Sequence, residues 1–308
     1  MGPRVLVLGA GVSGLSSAVC VQQACPEAQV QLVSEHFSPD TTSDGSAGFW
    51  GPYLIGETDA LLALWGNPTW KGIVEGFKQL SEDDMKQFDP SFETGTFYTA
   101  LSVDVTPYLE WLMNRFKRQG GIVRQAKIEN IEEVASQCDI LINCSAMSSW
   151  HLFQDKDMFP IRGQVWKVQA PWVKHFYFLH EKDEDTTYVI PGVDLITVGG
   201  TAQMDDWNRN TNPEDGALMW EKAVTHFPML QQATLVKSWV GLRPARKSLR
   251  LESETLNVDG RSIKVIHNYG HGGSGITMHW GCALEVTRMV LEALGTERKD
   301  AQRIVSRL

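Results

Sequence analysis

Near the start of the chain, Gly9-Ala10-Gly11-Val12-Ser13-Gly14 has the spacing G-x-G-x-x-G, between the apolar run "RVLVL" at 4–8 and a helical stretch reaching about Ala24. In that spacing the first glycine permits a tight turn and the second lets the backbone approach a pyrophosphate. The third lets the helix pack on the strand, and the helix N-terminus faces the anion. Glu35 lies 21 residues past Gly14, at the end of a second apolar run, where a carboxylate can accept hydrogen bonds from ribose hydroxyls. The chemistry this points to is dinucleotide binding, against a tight turn with nothing bound. The motif does not choose between NAD and FAD. In "PDTTSDGSAGFW", 39–50, Thr41, Thr42 and Ser43 offer hydroxyls and amides in a row, and Ala47-Gly48 lets the backbone approach a flat ligand. An anion-binding turn or a helix cap is the plainer explanation of the same residues.

A second stretch, "HNYGHGGSGITMHWG" at 267–281, holds three histidines and five glycines. His267 and His271 sit four apart, as metal ligands on a helix do. The run Gly270-His271-Gly272-Gly273-Ser274-Gly275 is a poor helix, since glycine costs about 1 kcal/mol per helical position. No metal site is therefore expected. The glycines suit a backbone pressed against a cofactor, followed by a helix from about Gly275 whose amide end faces an electron-rich ring or a phosphate.

These residues need elements to hold them. "RVLVL", the glycine turn, the helix to Ala24 and the strand "AQVQLVSE", 28–35, make a β-turn-helix-β unit, the first unit of a doubly wound sheet. "TPYLEWLMNRFKRQGG", 106–121, predicts a helix capped by Thr106, with Pro107 at its first position and Gly120-Gly121 ending it; Tyr108, Leu109, Leu112, Met113 and Phe116 share a face. "GIVRQ" and "CDILINC" read as strands, the second apolar enough to be central. From about 160 to 200, "RGQVWKVQ", "TYVIPG" and "LITVGG" are short strands joined by turns, a mostly antiparallel region. Asn212-Pro213-Glu214 opens another helix, and 276–294 returns to a long amphipathic helix ending at Gly295.

The whole composition bounds the class. The chain has 308 residues, 43% hydrophobic and 21% charged, with a formal net charge of −9. That acidic balance argues against nucleic acid or an anionic membrane as main partner, since both call for a basic patch. Cys20, Cys25, Cys138, Cys144 and Cys282 are odd in number and lie in apolar segments, which fits reduced buried thiols rather than a disulfide framework. The apolar start has the look of a signal-peptide core, but its glycine spacing has its own explanation, and no run approaches the ~20 apolar residues of a membrane span. "NCS" at 143–145 ends an apolar strand, so the sequon is read as chance.

The blocks "VLVLGAGVSGLSSAV", "FSPDTTSDGSAGFW", "RGQVWKVQAPWVKHF", "TYVIPG", "VGLRPAR" and "HNYGHGGSGITMHWGCALE" resemble, in order, those of the D-amino-acid oxidase and D-aspartate oxidase family. The resemblance covers nearly the whole chain and implies an α/β fold. It has a Rossmann-like FAD-binding domain with a parallel sheet (1–52, 104–152 and 241–308) and a mostly antiparallel α+β substrate domain (53–103 and 153–240). It implies FAD held by the Gly9–Gly14 turn, Glu35, His36, Thr41, Thr42, Ser43, Ala47, Gly48, Phe49, Lys127, Ile128 and Ser145. Gly272, Gly273, Ser274, Gly275, Ile276 and Thr277 complete that set. It implies that Arg243 pairs with the substrate carboxylate, that Tyr188 hydrogen-bonds the same group, and that the Gly273 backbone sits near the substrate amine. The implied activity is oxidative deamination of a small D-amino acid by molecular oxygen, giving a 2-oxo acid, ammonia and hydrogen peroxide. Ser306, Arg307 and Leu308 are close to a peroxisomal address, which adds the peroxisomal import receptor as a partner; a homodimer stays open.

Two departures from the family bear on activity. Members that select acidic substrates carry extra arginines, whereas the loop here reads "HEKDEDTTY", with Glu181, Asp183, Glu184 and Asp185, and Ala202 follows "GGT". Like charges repel a substrate carboxylate in a partly desolvated site, so neutral or basic D-amino acids are favoured, with D-aspartate as the alternative. Between "GPYLIG" and "NPTWKGIVEGF" the family carries a helix-and-strand segment of which only "ETDALLALWG" remains. A shortened, non-catalytic homologue is the other reading this leaves, and an NAD-dependent dehydrogenase is a third that the 272–277 turn opposes.

Overall fold

The computed structural model describes residues 2–54, 68–180 and 186–308. In chain order the described elements begin β1 (Arg4–Leu8), α1 (Val12–Ala24), β2 (Gln29–Ser34), β3 (Glu75–Gln79), α2 (Glu82–Met85), β4 (Thr96–Thr99), α3 (Val105–Arg118) and β5 (Ile122–Gln125). There follow α4 (Glu132–Ala135), β6 (Ile140–Asn143), α5 (Ser149–Leu152), β7 (Phe159–Gln169), β8 (Tyr177–His180), β9 (Thr186–Ile190), β10 (Ile196–Gly199) and β11 (Gln203–Met204). The last are α6 (Pro213–His226), β12 (Thr234–Val258), β13 (Arg261–His271), α7 (Gly275–Ala293) and α8 (Arg298–Val305). The chain divides into two units: Met1–Asp44, Val105–Phe159 and Pro244–Leu308 form the first, Gly45–Asp104 and Pro160–Arg243 the second. The sequence puts these cuts up to eight residues away, at 52/53 where the structure cuts after Asp44. The difference moves Ala47, Gly48 and Phe49 into the second unit.

The first unit is a doubly wound sheet in the order β5-β2-β1-β6-β13-β12. β5, β2, β1, β6 and β13 run parallel, and β12 lies antiparallel to β13. Parallel strands covered on both faces must be apolar along their length, and Val5–Leu8 and Ile140–Ile142 are at most 4% exposed. α1 is buried nearly all round, from Gly14 to Val21, because α3 and α7 pack on it in addition to the sheet. α3 starts one residue early, so Thr106 does not cap it; the Thr106 hydroxyl donates to Asp44 Oδ1 at 2.8 Å instead. Gly120, at φ +86°, and Gly121 end α3, Gly121 N–H donating back to the Phe116 carbonyl.

The second unit is a sheet in the order β12-β7-β10-β9-β8, with β11 on β7 and a separate β3-β4 pair. The described pairings of β7, β8, β9, β10 and β11 are antiparallel. Strand alternation sorts its residues into two faces. Val168, Val189 and Val198 point to α6 and pack with Ala223, Phe227 and Leu230. Val165, Tyr188 and Ile190 point the other way, among Ala47, Phe49, Phe176, Phe178 and Trp239. Asn212 caps α6 with its side chain on the Glu214 and Asp215 amides.

One buried cation holds the loop between β10 and α6. Arg162, 1% exposed, donates to the carbonyls of Asn208 (3.0 Å) and Asn210 (2.7 Å) and pairs with Asp215 at 3.0 Å. Removing one partner of a buried pair leaves an uncompensated charge. Asp215→Ala is therefore expected to lower stability by about 3 kcal/mol, measured by urea unfolding, while Asp206→Ala, which removes a half-exposed carboxylate 3.8 Å from Arg162, changes it by well under half of that.

Candidate cofactor cradle and substrate face

In the first unit the two glycine stretches meet the physical demands of an anion cradle. Gly9 has φ +106°, a conformation glycine adopts without strain. A Cβ on Gly14 would overlap the Gly9 carbonyl oxygen, and one on Gly11 would come 3.2 Å from Ser43 Oγ. α1 has neither a side-chain cap nor an acid in its first turn, so its end keeps its positive field. The Ala10 amide donates to Ser34 Oγ (3.2 Å) and the Val12 amide to Ser43 Oγ (3.1 Å). Both acceptors are neutral hydroxyls.

The other implied cofactor residues of this unit are placed as follows. Glu35 and His36 are solvent-facing neighbours, 3.7 Å apart. Thr42, Ser43, Asp44 and Gly45 form a 3₁₀ turn. The carboxylate of Asp44, absent from the sequence argument, organises it by accepting from Ser38 Oγ, from the Thr41 amide and hydroxyl, and from Thr106. Thr41 is thus engaged within the loop, whereas Thr42 is exposed. Lys127 is exposed and paired with Glu129 at 2.7 Å, and Ile128 is buried in the sheet core. Ser145 lies two residues past the end of β6 and is tied to Asn143 and Ser149.

The second stretch corrects the sequence argument on one point. His267 and His271 do lie on one element, β13, because the strand continues through Gly270, whose φ is +88°. Among the described residues no group of three or more His, Cys, Asp or Glu side chains is placed to hold a metal ion. Gly272–Ser274 make a 3₁₀ turn and α7 starts at Gly275, again with no acid in its first turn, and Ile276 and Thr277 are its next two residues. Gly273 is half-buried within that turn. Burial holds His271 neutral, with its pKa lowered to about 4, and lowers that of His279, whose Nδ1 donates to the Ile276 carbonyl and whose Nε2 accepts from Tyr108. The five thiols are free and buried, which pushes Cys20 and Cys144 up to about 12 and the other three to about 11, so none is a nucleophile at neutral pH.

In the second unit Arg243 and Tyr188 share a face. A Cβ on Gly163 would overlap the Arg243 guanidinium, and Cβ atoms on Gly199 and Gly200 would lie 2.5 and 2.6 Å from the Tyr188 hydroxyl. These three glycines make the room the Arg243 and Tyr188 side chains occupy. The Arg243 Nη1 donates to the Thr201 carbonyl at 3.0 Å, and no carboxylate of the described residues lies within ion-pair distance. Thr201 is itself pinned, its hydroxyl accepting from the Gln164 amide at 2.8 Å. Sequence reasoning missed Tyr53, whose ring lies 5.7 Å from the Arg243 carbon and 6.3 Å from Tyr188. Its only signal was its place in "GPYLIG". Phe49 packs on Phe176 at 4.3 Å, beside Ala47, and Gly48 is buried at φ +73°. Lys167 completes the face, its ammonium on Ser46 O and Thr197 Oγ1, with burial lowering its pKa to about 8.

A glycine turn closing on a helix end, repeated at a second helix, over a parallel sheet is a dinucleotide-binding α/β arrangement. The family model described as FAD dependent oxidoreductase matches residues 56–289, and the chain belongs to that family. The chain is 37% identical to D-aspartate oxidase of Homo sapiens, over 94% of this chain and 95% of that one, and 31% identical to D-amino acid oxidase of Dugesia ryukyuensis, over 94% and 98%. The human alignment spans 329 positions, while 94% of 308 residues is about 290, so about 40 positions carry no residue of this chain. The fold is that of glycine oxidase from Geobacillus kaustophilus (TM-score 0.73, 15% identity, 96% of each chain) and from Bacillus cereus (0.71, 18%, 97% and 98%).

Gly14→Ala places a methyl group on the Gly9 carbonyl. The expected result is protein without the flavin absorbance bands and with a lower melting temperature, whereas Gly120→Ala, strained by its positive φ but away from the turn, lowers the melting temperature and keeps its bands.

Proposed function

We propose that this protein catalyses oxidation of D-amino acids by molecular oxygen, with release of the 2-oxo acid, ammonia and hydrogen peroxide. The observation that carries this is Arg243, a half-buried guanidinium aligned by the neutral Thr201 carbonyl and free of carboxylate partners among the described residues. Such a group is suited to a bidentate pair with an amino-acid carboxylate. The Tyr188 hydroxyl, over Gly199 and Gly200, supplies a further hydrogen bond to that carboxylate, and the Tyr53 ring flanks the guanidinium. These contacts orient the α-carbon; FAD, when bound, supplies the hydride acceptor and the reaction with oxygen. The first unit would hold it through the Gly9–Gly14 turn and the 272–277 turn, each a helix end without an acid.

For the substrate side chain, Glu181, Asp183, Glu184 and Asp185 support neutral or basic groups; these four, like the shortened stretch 55–67, lie outside the described residues. Acidic D-amino acids are the second reading, favoured by the human D-aspartate oxidase relative. Ser306, Arg307 and Leu308, after α8, are proposed to direct the protein to peroxisomes through the import receptor.

Purified protein is expected to show flavin absorbance and to form peroxide with D-alanine or D-arginine. Turnover of D-aspartate alone selects the second reading, and flavin-loaded protein inert to all three ends the oxidase reading. Arg243→Lys is expected to lower kcat/KM about ten- to a hundredfold, as loss of a charge-assisted fork does, with the melting temperature little changed. A fluorescent protein joined ahead of the chain should collect in peroxisomes and lose that location when Leu308 is removed.

A further inference from the structure

The residues beneath the first glycine turn form a hydrogen-bonded chain whose proton positions are determined one after another. The Ser145 backbone N–H can only donate, and it lies 3.0 Å from the amide oxygen of Asn143. That contact fixes which way the Asn143 amide faces. Its nitrogen is therefore the atom 3.1 Å from His267 Nδ1, and an amide nitrogen also only donates. His267 Nδ1 must then be the bare nitrogen and Nε2 the protonated one. Nε2 lies 2.7 Å from the Glu254 carboxylate, where a donor belongs. The Ser145 hydroxyl donates to Asn143 Oδ1 (2.7 Å), and Ser149 Oγ receives the second Asn143 N–H (3.2 Å) while bonding Ser145 Oγ (2.8 Å). Asn143, Ser149 and His267 are fully buried.

This chain ends under the cofactor turn. The carbonyl of Cys144, between Asn143 and Ser145, occupies the space a Cβ on Gly9 would need, so the 144–145 backbone is the floor on which that turn rests. We propose that Asn143 and His267 are a positioning pair for the FAD cradle: neutral His267, by fixing the Asn143 amide, holds Ser145 and the Cys144 carbonyl beneath Gly9. This rests on the FAD-binding assignment of that turn and adds two residues that the resemblance does not include.

The arrangement has a consequence for pH. A proton on His267 Nδ1 would face the Asn143 N–H groups, and the amide would have to turn its oxygen away from Ser145. The groups facing the imidazole are Glu254, Glu252 and Arg250 from β12, Tyr269 from its own strand, Phe153 after α5 and the uncharged Asn143 from β6. Burial lowers the His267 pKa below its ordinary 6.5, against the pull of Glu254. A group with a depressed basic pKa is neutral in both states at high pH. Its cost appears as pH falls below 6.5 and is complete below the folded value. The positioned floor, and with it FAD retention, is thus present at neutral pH and lost on acidification.

The test has one part that needs no flavin. ¹⁵N NMR of the histidine-labelled apoprotein at pH 7 should show His267 with a bare Nδ1 and a protonated Nε2; the other tautomer or an imidazolium overturns the proposal. In the second part FAD affinity is measured by fluorescence quenching. His267→Phe and Asn143→Leu should each weaken it about tenfold or more, the range for stranding a buried polar partner. His267→Gln, which restores an acceptor to Asn143, should recover most of the loss and abolish the acid-dependent release. Tyr269→Phe cuts the hydroxyl that bonds Asp155 and Arg250 but leaves the pair intact, so it should stay within twofold of the parent. Equal losses in Tyr269→Phe and His267→Phe, or unchanged affinity in His267→Phe, would overturn it. Should His267→Phe not fold, the Gln and Tyr269 variants and the NMR decide. A parent protein that takes up no FAD would sink the cofactor assignment and leave the tautomer test standing.

Discussion

The first unit depends on a single close approach, the Gly9 carbonyl lying where residue 14 would otherwise carry a side chain. That contact packs the start of α1 against the turn after β1, so that the helix N-terminus lies at the turn. Everything around it is arranged so as not to spoil the field at that point. The hydroxyls that meet the Ala10 and Val12 amides are neutral, and neither α1 nor α7 has an acid in its first turn. An acid there would stabilise the empty helix by up to about 1 kcal/mol and oppose an anionic ligand with the same field.

The second unit holds a cation without neutralising it. A half-buried guanidinium paired to a carboxylate is comfortable and inert. Arg243 is given a backbone carbonyl instead, and Thr201, which owns that carbonyl, is fixed to Gln164 on β7. The loop behind it is held by Arg162, whose charge is fully compensated. The two arginines thus differ in their partners: Arg162 is paired with a carboxylate, and Arg243 has a backbone carbonyl and no carboxylate among the described residues.

Much of this was legible in the chain. The period of 2 in β7 and β9 already separates Val168 and Val189 from Val165 and Tyr188, and the G-x-G-x-x-G spacing names its own glycines. The misses share a cause. Thr106 looked like a cap, because a hydroxyl before Pro107 is the usual signal; the partner that claims it, Asp44, is 62 residues away. His267 and His271 looked separated by glycine, because glycine is costly in a helix, yet a strand tolerates Gly270 at positive φ. Nothing in "GPYLIG" says that the Tyr53 ring flanks Arg243.

The sequence by itself determined the doubly wound first unit, the dinucleotide class of ligand and the two glycine turns, since these follow from local rules: apolar period, glycine's freedom at positive φ and the unsatisfied amides of a helix end; FAD in particular came from the family resemblance. Tertiary structure alone decided which hydrogen-bonding groups remain available. Whether a hydroxyl, an imidazole or a guanidinium is committed or open depends on partners brought in from distant strands, as Glu254 and Asn143 are brought to His267 and Thr201 to Arg243. Hydrogen bonds act over about 3 Å of space, and separation along the chain carries no information about that distance.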